Sequence, residues 1–252
     1  MLIALLWIAC TLFGAALAVG AALWLGRSER SRDGSFNPQA VGFAGSVVLS
    51  AFILVTGFLI VGGWSLQSTV RGHAHDEARV LAKVYSRAGD LAPQDRDVIR
   101  ARVTDYTRTV IDVEWPDLAR HQASPTAWRR LDAVQAAFNA IPKERRGEAY
   151  DATAAALDDL YVKRYARLAD VDSVAPDVLL VAMVVAGILV LVYPPLVGMT
   201  ANPRNVALLG FAGCVVGFGI LFVFQLRDPF TAPLNVGPSA FKDALARYTQ
   251  LA

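Results

Sequence analysis

The sequence predicts an all-α fold: a polytopic membrane protein with four transmembrane helices and a helical soluble domain inserted between the second and third. Two observations lead to this prediction. Charged residues are absent from four long stretches, and they are concentrated in a segment of about a hundred residues between the second and third stretch. The 252-residue chain is 55% hydrophobic and 18% charged, whereas soluble domains are about 45–50% apolar and about 25% charged.

The uncharged stretches are long enough to cross a bilayer. They contain no Asp, Glu, Lys, Arg or His, and they comprise Met1–Gly26, Gly34–Val70, Val178–Pro203 and Asn205–Leu226. Each includes about 20 apolar residues, enough for a helix to cross roughly 30 Å of hydrocarbon. Helices on the surface of a soluble protein would need polar faces, which these lack. The predicted spans are Leu2–Leu25, Val41–Trp64, Val178–Val197 and Val206–Phe224.

The first stretch is interpreted as a retained helix and not as a secretory signal. A signal has a basic start followed by an apolar stretch of about 7–15 residues. Here Met1 opens directly into uncharged sequence, and the first basic residue is Arg27.

The spans divide the chain into four parts. We expect a first transmembrane helix pair at 1–65, a helical soluble domain at 66–175, a second pair at 176–226 and a C-terminal tail at 227–252. Four crossings place the N-terminus, the domain and the tail on the same side of a cell membrane.

Basic residues near the membrane predict which side that is, because they are more frequent on the cytoplasmic face. The domain side has Arg71, Arg79, Lys83, Lys163, Arg164, Arg167 and Arg227, whereas the opposite side has Arg27, Arg30, Arg32 and Arg204. The soluble domain is therefore predicted to be cytoplasmic.

Stripes of mostly apolar residues recur at helical spacing in the domain, and Gln135 is the polar member of the second stripe. The three stripes are Ile99, Val103, Tyr106, Val110 and Val113; Trp128, Leu131, Gln135 and Phe138; and Tyr150, Ala154, Leu157, Tyr161 and Leu168. Pro93 and Ser124-Pro125 suit helix starts, and Pro116 is expected to end or bend the first helix. Between Arg71 and Asp172 there are 17 basic and 17 acidic residues, a balance that gives no indication of nucleic-acid binding.

Few residues indicate enzymatic chemistry. His73 and Glu77 lie four residues apart on one helix face and could bind a metal, but zinc needs three or four ligands. The simpler interpretation is a polar stretch where the second helix leaves the membrane. No zincin, P-loop or nucleophile-elbow motif is present, and Cys10 and Cys214 lie in apolar segments. We predict that the chain is not an enzyme and has no metal or cofactor.

One face of the second span is the candidate functional surface. Ser46, Ser50, Ile53 and Gly57 recur at helical spacing and are small, weakly polar or apolar. They could line a narrow pore around an oligomer axis, or they could permit close helix packing in lipid. Proton-coupled carriers commonly place an ionisable group within the membrane, and these spans have none. A passive pore with a hydrophobic constriction needs no such group.

Two passages resemble a known family. Val113-Glu114-Trp115-Pro116-Asp117-Leu118-Ala119, followed by Ser124-Pro125-Thr126-Ala127-Trp128, is similar to the middle of the bestrophin-like family found widely in bacteria. Arg227-Asp228-Pro229-Phe230, followed by Val236-Gly237-Pro238-Ser239-Ala240-Phe241, resembles the end of that family. Gly42-Phe43 and Trp64 occur in matching order, so the resemblance covers nearly the whole chain.

The resemblance implies a four-span protein similar to bestrophins, which are pentameric anion channels with helical cytosolic domains and a pore lined by the second span. It implies a homopentamer in the lipid bilayer that conducts inorganic anions such as chloride. Bestrophins also carry an acidic calcium-binding cluster after the fourth span. Here only Asp228 is present, so calcium gating is not implied.

Two alternatives accompany this expectation. Glu114, Trp115 and Pro116 could simply end a helix and dock an aromatic ring, and the segment Arg227–Phe230 could anchor the end of the fourth span. The whole chain could instead be a non-conducting, membrane-anchored scaffold or sensor that binds a protein partner through its helical domain.

Overall fold

A computed structural model describes residues 38–172, 177–231 and 234–251, together with Leu12, Phe13, Ala16, Leu17, Val19, Gly20, Leu23 and Trp24. All regular secondary structure among these residues is helical. The chain divides into two compact units, one formed by Met1–Ser65 with Ala175–Asp228 and the other by Leu66–Val174 with Pro229–Ala252. The predicted first span, Leu2–Leu25, and the basic residues Arg27, Arg30 and Arg32 lie largely or entirely outside the described residues.

The helices are as follows: α1 (Pro38–Ala88), α2 (Pro93–Thr109), a π turn (Val110–Glu114), α3 (Trp115–Leu118), α4 (Pro125–Asn139), α5 (Glu148–Ala169), α6 (Asp177–Leu196), α7 (Pro203–Leu226) and α8 (Ser239–Leu251). Short 3₁₀ turns occupy Lys143–Arg145 and Asp170–Asp172.

Helix α1 contains the predicted second span and continues far beyond it, over 51 residues without interruption. After Trp64 there is no proline to break it, and buried residues still recur at helical steps, at Val70, Ala74 and Leu81. Helix α6 contains the predicted third span up to Leu196, and α7 contains the predicted fourth span. Among the described residues, α1, α6 and α7 are the helices long and apolar enough to cross a membrane.

The first unit has an apolar core and an apolar surface. Its buried residues include Phe52, Met183, Leu191 and Val216. Large side chains such as Leu54, at 74% exposure, remain uncovered on the outside. Such a surface would be costly in water and is suited to lipid or to neighbouring subunits.

The second unit is a helical bundle whose core includes residues from α1, α2, α4, α5 and α8. The predicted stripe on α2 is confirmed at Ile99, Val103, Tyr106 and Val110, which are all buried. Val113 is 40% exposed, so its predicted burial is wrong. The π turn carries one more residue per turn than an α-helix, and it places Glu114 inside instead of Val113.

The predicted stripe on α5 packs against the core: Leu157 is buried, and Tyr150, Ala154, Tyr161 and Leu168 are half-buried against it. The fully buried face of α5 also contains Leu160, Arg164 and Arg167, which the stripe did not include. The two arginines can be buried because carboxylates from other helices pair with them, as described below. At the C-terminus α8 buries Phe241, Ala244 and Tyr248 in the same core.

Helix α1 runs without interruption through Gly57, Gly62 and Gly63. Gly63 permits close packing: a Cβ there would lie 2.8 Å from Cβ of Leu226 and 3.1 Å from its carbonyl oxygen. A Cβ on Gly62 would meet nothing within 4 Å.

We therefore expect Gly63→Ala to lower the free energy of unfolding by about 1–3 kcal/mol through overpacking. Gly62→Ala, one residue away, should be neutral or stabilise by up to about 1 kcal/mol through helix propensity. Thermal melting of the full chain in detergent, followed by circular dichroism, measures both. Equal melting temperatures for the two variants would contradict the assigned packing.

Candidate functional site

The four candidate pore residues lie on the uncovered side of α1. Ser46, Ser50, Ile53 and Gly57 are all exposed in the single chain, Ile53 at 61%. The Ser46 hydroxyl donates to the Phe43 carbonyl at 2.7 Å, a local bond that satisfies it within its own helix. A Cβ on Gly57 would meet nothing within 4 Å. The strip is therefore free to face lipid, another subunit or a pore.

Close packing within the chain uses other residues of the same helix. Gly45 is the close neighbour of the Tyr193 ring, and Gly63 is the close neighbour of Leu226. The Tyr193 hydroxyl donates to the Val41 carbonyl at 2.6 Å and adds a polar link between α6 and α1. Among the described residues, the closest approaches of α1 to α6 and α7 therefore use glycines outside the candidate strip.

Among the described residues of the first unit, charges occur at or next to the helix ends. Asp177 begins α6, and its carboxylate accepts a hydrogen bond from Arg227, which follows α7. This ion pair ties the two helix ends together. The apolar interior of α1, α6 and α7 has no ionisable group that could couple transport to protonation.

The second family passage extends into the core of the second unit. The Pro229 carbonyl accepts from the Val236 amide at 2.7 Å and closes a turn before α8. Phe230 is 3% exposed and meets the Trp115 ring edge-on, with 6.3 Å between centroids. Trp115 Nε1 donates to the Val236 carbonyl at 2.9 Å. The two passages, distant in sequence, therefore pack together.

A closed polar network lies in the core of the second unit. Its members are fully buried: Glu77 of α1, Tyr106 of α2, Glu114 of the π turn, and Arg164 and Arg167 of α5. Two positive and two negative groups make it neutral, which offsets the large cost of removing each charge from water.

Glu114 binds both guanidinium groups. Its Oε1 accepts from Arg164 at 2.5 Å, and its Oε2 accepts from Arg167 at 2.5 Å and from Arg164 at 3.0 Å. Glu77 accepts from Nε of Arg167 at 2.6 Å and from the Tyr106 hydroxyl at 2.5 Å. The Tyr106 oxygen accepts from Arg164 at 2.6 Å and closes the network.

Aromatic rings surround the two cations. The Arg164 guanidinium carbon lies 4.4 Å from the centroid of the Trp128 ring. That of Arg167 lies 5.4 Å from the Trp115 ring and 5.3 Å from the Phe241 ring. Cation–π attraction supplements the ion pairs here, where water is excluded.

Mutual pairing favours the charged forms of Glu114, Arg164 and Arg167. Burial would raise the pKa of the Glu114 carboxyl, but Arg167 and Arg164 outweigh burial and hold that pKa below its ordinary value of 4.5. Burial opposes the charge on both arginines as well, yet the facing oxygens raise the pKa of each above its ordinary value. Burial, followed by the Glu77 carboxylate, raises the pKa of Tyr106 and keeps its hydroxyl a donor.

Sequence reasoning missed this network and counted Arg164 and Arg167 as basic residues near the membrane. Both are fully buried in the folded domain; without them, five basic residues on the domain side stand against four on the opposite side. One signal in the sequence could have revealed the network. An otherwise apolar helix face is interrupted by a charged residue at each of four positions: Glu77, Glu114, Arg164 and Arg167.

His73 and Glu77, the pair considered above as metal ligands, bind different partners. His73 Nδ1 lies 2.8 Å from Oδ2 of Asp170, whereas Glu77 belongs to the buried network. Within the described ranges, no group of three or more His, Cys, Asp or Glu side chains is arranged to hold a metal.

Comparison with known protein families gives one match. The sequence profile of the bestrophin-like domain matches residues 11–241. The chain belongs to the bestrophin-like family. Both sequence passages described above lie within the matched range, and no protein with a curated description matches the chain.

Solved structures share this fold. Two variants of a bacterial bestrophin homologue from Klebsiella pneumoniae are each 12% identical to the chain, with TM-scores of 0.76 and 0.75. The two alignments cover 95% and 97% of this chain and 98% of each homologue's chain. A crystal structure described as a membrane protein has a TM-score of 0.70 at 12% identity, covering 96% of this chain and 98% of that one. At such identity the similarity extends to the fold alone.

We expect Arg167→Met to destabilise the protein by about 3–5 kcal/mol, because it leaves Glu77 and Glu114 with one buried cation between them. The matched control, Arg129→Met, removes an exposed arginine and should change stability by less than about 0.5 kcal/mol. Urea unfolding of the full chain in detergent, followed by tryptophan fluorescence, provides the measurement. A similar loss in both variants would argue against the network as the source of stability.

The lowered pKa of Glu114 predicts an acid-dependent loss of stability. Its contribution is fully present above the ordinary value of 4.5 and is lost as pH falls through the lower folded-state pKa. Glu114→Gln should be less stable than the wild type at pH 7 and should lose less stability on acidification. Glu144→Gln, at an exposed site, should retain the wild-type acid profile. Parallel profiles for Glu114→Gln and the wild type would refute the prediction.

Proposed function

We propose that the chain forms an oligomeric membrane channel that conducts anions passively through a pore lined by α1. Membership of the bestrophin-like family carries this proposal. The exposed strip formed by Ser46, Ser50, Ile53 and Gly57 supports the choice of α1 as the pore wall. The strip has no ionisable group, which favours conduction without coupling to another ion.

A pore of this kind requires several copies of the chain. One helix cannot enclose a channel, and a ring of identical subunits would bring one copy of the strip from each to a common axis. The family implies five subunits. The apolar side chains on the outside of α1 provide surface for lipid and for neighbouring subunits.

The proposed topology has four membrane crossings, with the N-terminus, the helical domain and the C-terminus in the cytoplasm. The domain follows the second crossing and precedes the third. The basic residues retained on the domain side after correction are Arg71, Arg79, Lys83, Lys163 and Arg227, which still exceed the four on the opposite side.

Ile53 is the candidate constriction. It is the bulkiest member of the strip, and a ring of branched apolar side chains restricts ion passage by excluding water from a narrow segment. Ser50, one turn earlier, places a hydroxyl beside it that could replace part of an ion's hydration.

One observation favours a second function. Val162 and Tyr165 on α5 are each 63% exposed, and the Tyr165 ring lies 5.1 Å from that of Trp128. Exposed apolar patches with aromatic rings are typical of protein-binding surfaces. In this alternative, the chain is a membrane-anchored scaffold or sensor that binds a protein partner and passes no ions.

Chloride flux from sealed liposomes tests the proposal. Wild-type protein should release chloride, and Ile53→Ala should increase the flux several-fold because the constriction widens. Leu54→Ala is the matched control: it is adjacent, equally apolar, exposed and displaced by about 100° around the helix. It should leave the flux near the wild-type value.

The outcomes separate the two functions. Empty liposomes and an unrelated four-span protein set the background. If folded, assembled wild-type protein gives no flux over a range of pH, calcium and voltage, the scaffold function replaces the channel. If it conducts and both variants behave alike, the channel stands but Ile53 is not its constriction.

A further inference from the structure

The exposed surface of the second-unit part of α1 is predominantly basic. Basic side chains recur at every fourth residue and are all exposed; they are Arg71, His75, Arg79, Lys83 and Arg87, here called the basic row. Between Leu66 and Ala88 the only acids are Asp76, which is half-buried, and Glu77, which is fully buried.

The basic row covers the exposed side of the helix. Successive members are four residues apart, and each step advances about 40° around the axis, so the row crosses that side from one edge to the other. Like charges at this spacing repel and destabilise a helix. Where Arg79, Lys83 and Arg87 follow one another at this spacing, the row opposes helix stability, and an external anion would relieve the part that acidic neighbours leave.

Acidic neighbours neutralise only part of the row. Arg79 pairs with Asp76, whose carboxylate also accepts from Lys163 at 3.2 Å. Lys83 lies 4.0 Å from Asp159 of α5, with both side chains substantially exposed. Salt bridges of this exposed kind are weak, so the surface stays positive on average.

We propose that the basic row concentrates hydrated inorganic anions beside α1 and thereby favours anions over cations in the channel. This inference rests on the proposed channel function, and it adds a charge-selective element to a wall that is itself uncharged. A surface of one charge sign raises the local concentration of oppositely charged ions.

Two purified variants test the proposal. In the row variant, Arg71, Arg79, Lys83 and Arg87 are replaced by Gln. In the matched variant, three exposed arginines and one exposed lysine elsewhere in the unit are replaced by Gln: Arg102, Arg108, Arg129 and Lys242. Net charge falls by the same amount in both. Reversal potentials across planar bilayers of zwitterionic lipid, under a potassium chloride gradient, report the ratio of anion to cation permeability.

The row variant should reduce this ratio several-fold at low salt, whereas the matched variant should resemble the wild type. The difference should shrink in 1 M salt, where the screening length falls to about 3 Å. If both variants shift the ratio equally, or neither does, the row has no special role. A ratio that drops only when anionic lipid is present would assign the row to headgroups and overturn the proposal.

A second measurement does not require conduction. A fluorophore on Ser86→Cys, beside the row, reports local anions by iodide quenching, with Cys10 and Cys214 first replaced by Ala. Quenching should be several-fold weaker in the row variant than in the matched variant. Strong, row-dependent quenching in a protein that passes no ions would show that the channel function fails while anion accumulation holds. Equal quenching in both variants would overturn the accumulation itself.

Discussion

Burial of four charged side chains is the constraint around which the helical domain is organised. A single guanidinium or carboxylate in an apolar core loses its hydration at a cost of several kcal/mol. Arg164 and Arg167 can therefore occupy the core only if Glu77 and Glu114 are there as well. This requirement brings α1, the π turn and α5 to one point, and it accounts for the extra residue in the turn that carries Glu114 inward.

The helices long and apolar enough to cross a membrane, α1, α6 and α7, are under the opposite constraint. Their interiors contain no charge, and lipid offers no hydrophobic drive between helices, so contact depends on close approach and occasional hydrogen bonds. Gly45 and Gly63 allow α1 to come close to Tyr193 and Leu226. The Tyr193 hydroxyl adds a hydrogen bond between α6 and α1. The candidate strip at Ser46–Gly57 takes no part in these contacts, which is why its small residues are available for an external surface.

The limits of sequence reasoning follow from the same contrast. Uncharged stretches and apolar stripes depend on each residue's own hydropathy, so the α1, α6 and α7 spans and the Ile99–Val110 stripe could be predicted. Arg164 and Arg167 could not, because their burial depends on partners 50 to 90 residues away in sequence. Val113 was misplaced since a π turn leaves no clear signature in hydropathy. The pore-lining role of the strip stays a prediction, because it concerns neighbours that a single chain does not contain.

Helix α1 combines these two chemistries in one element. Up to Val70 the helix is uncharged; after it, Glu77 is buried, Asp76 is half-buried, and five basic side chains are exposed. Asp76 pairs with Arg79 at the surface, which offsets part of the repulsion among the basic residues. Under the proposed channel function, the uncharged segment would supply the pore wall and the basic segment would attract anions.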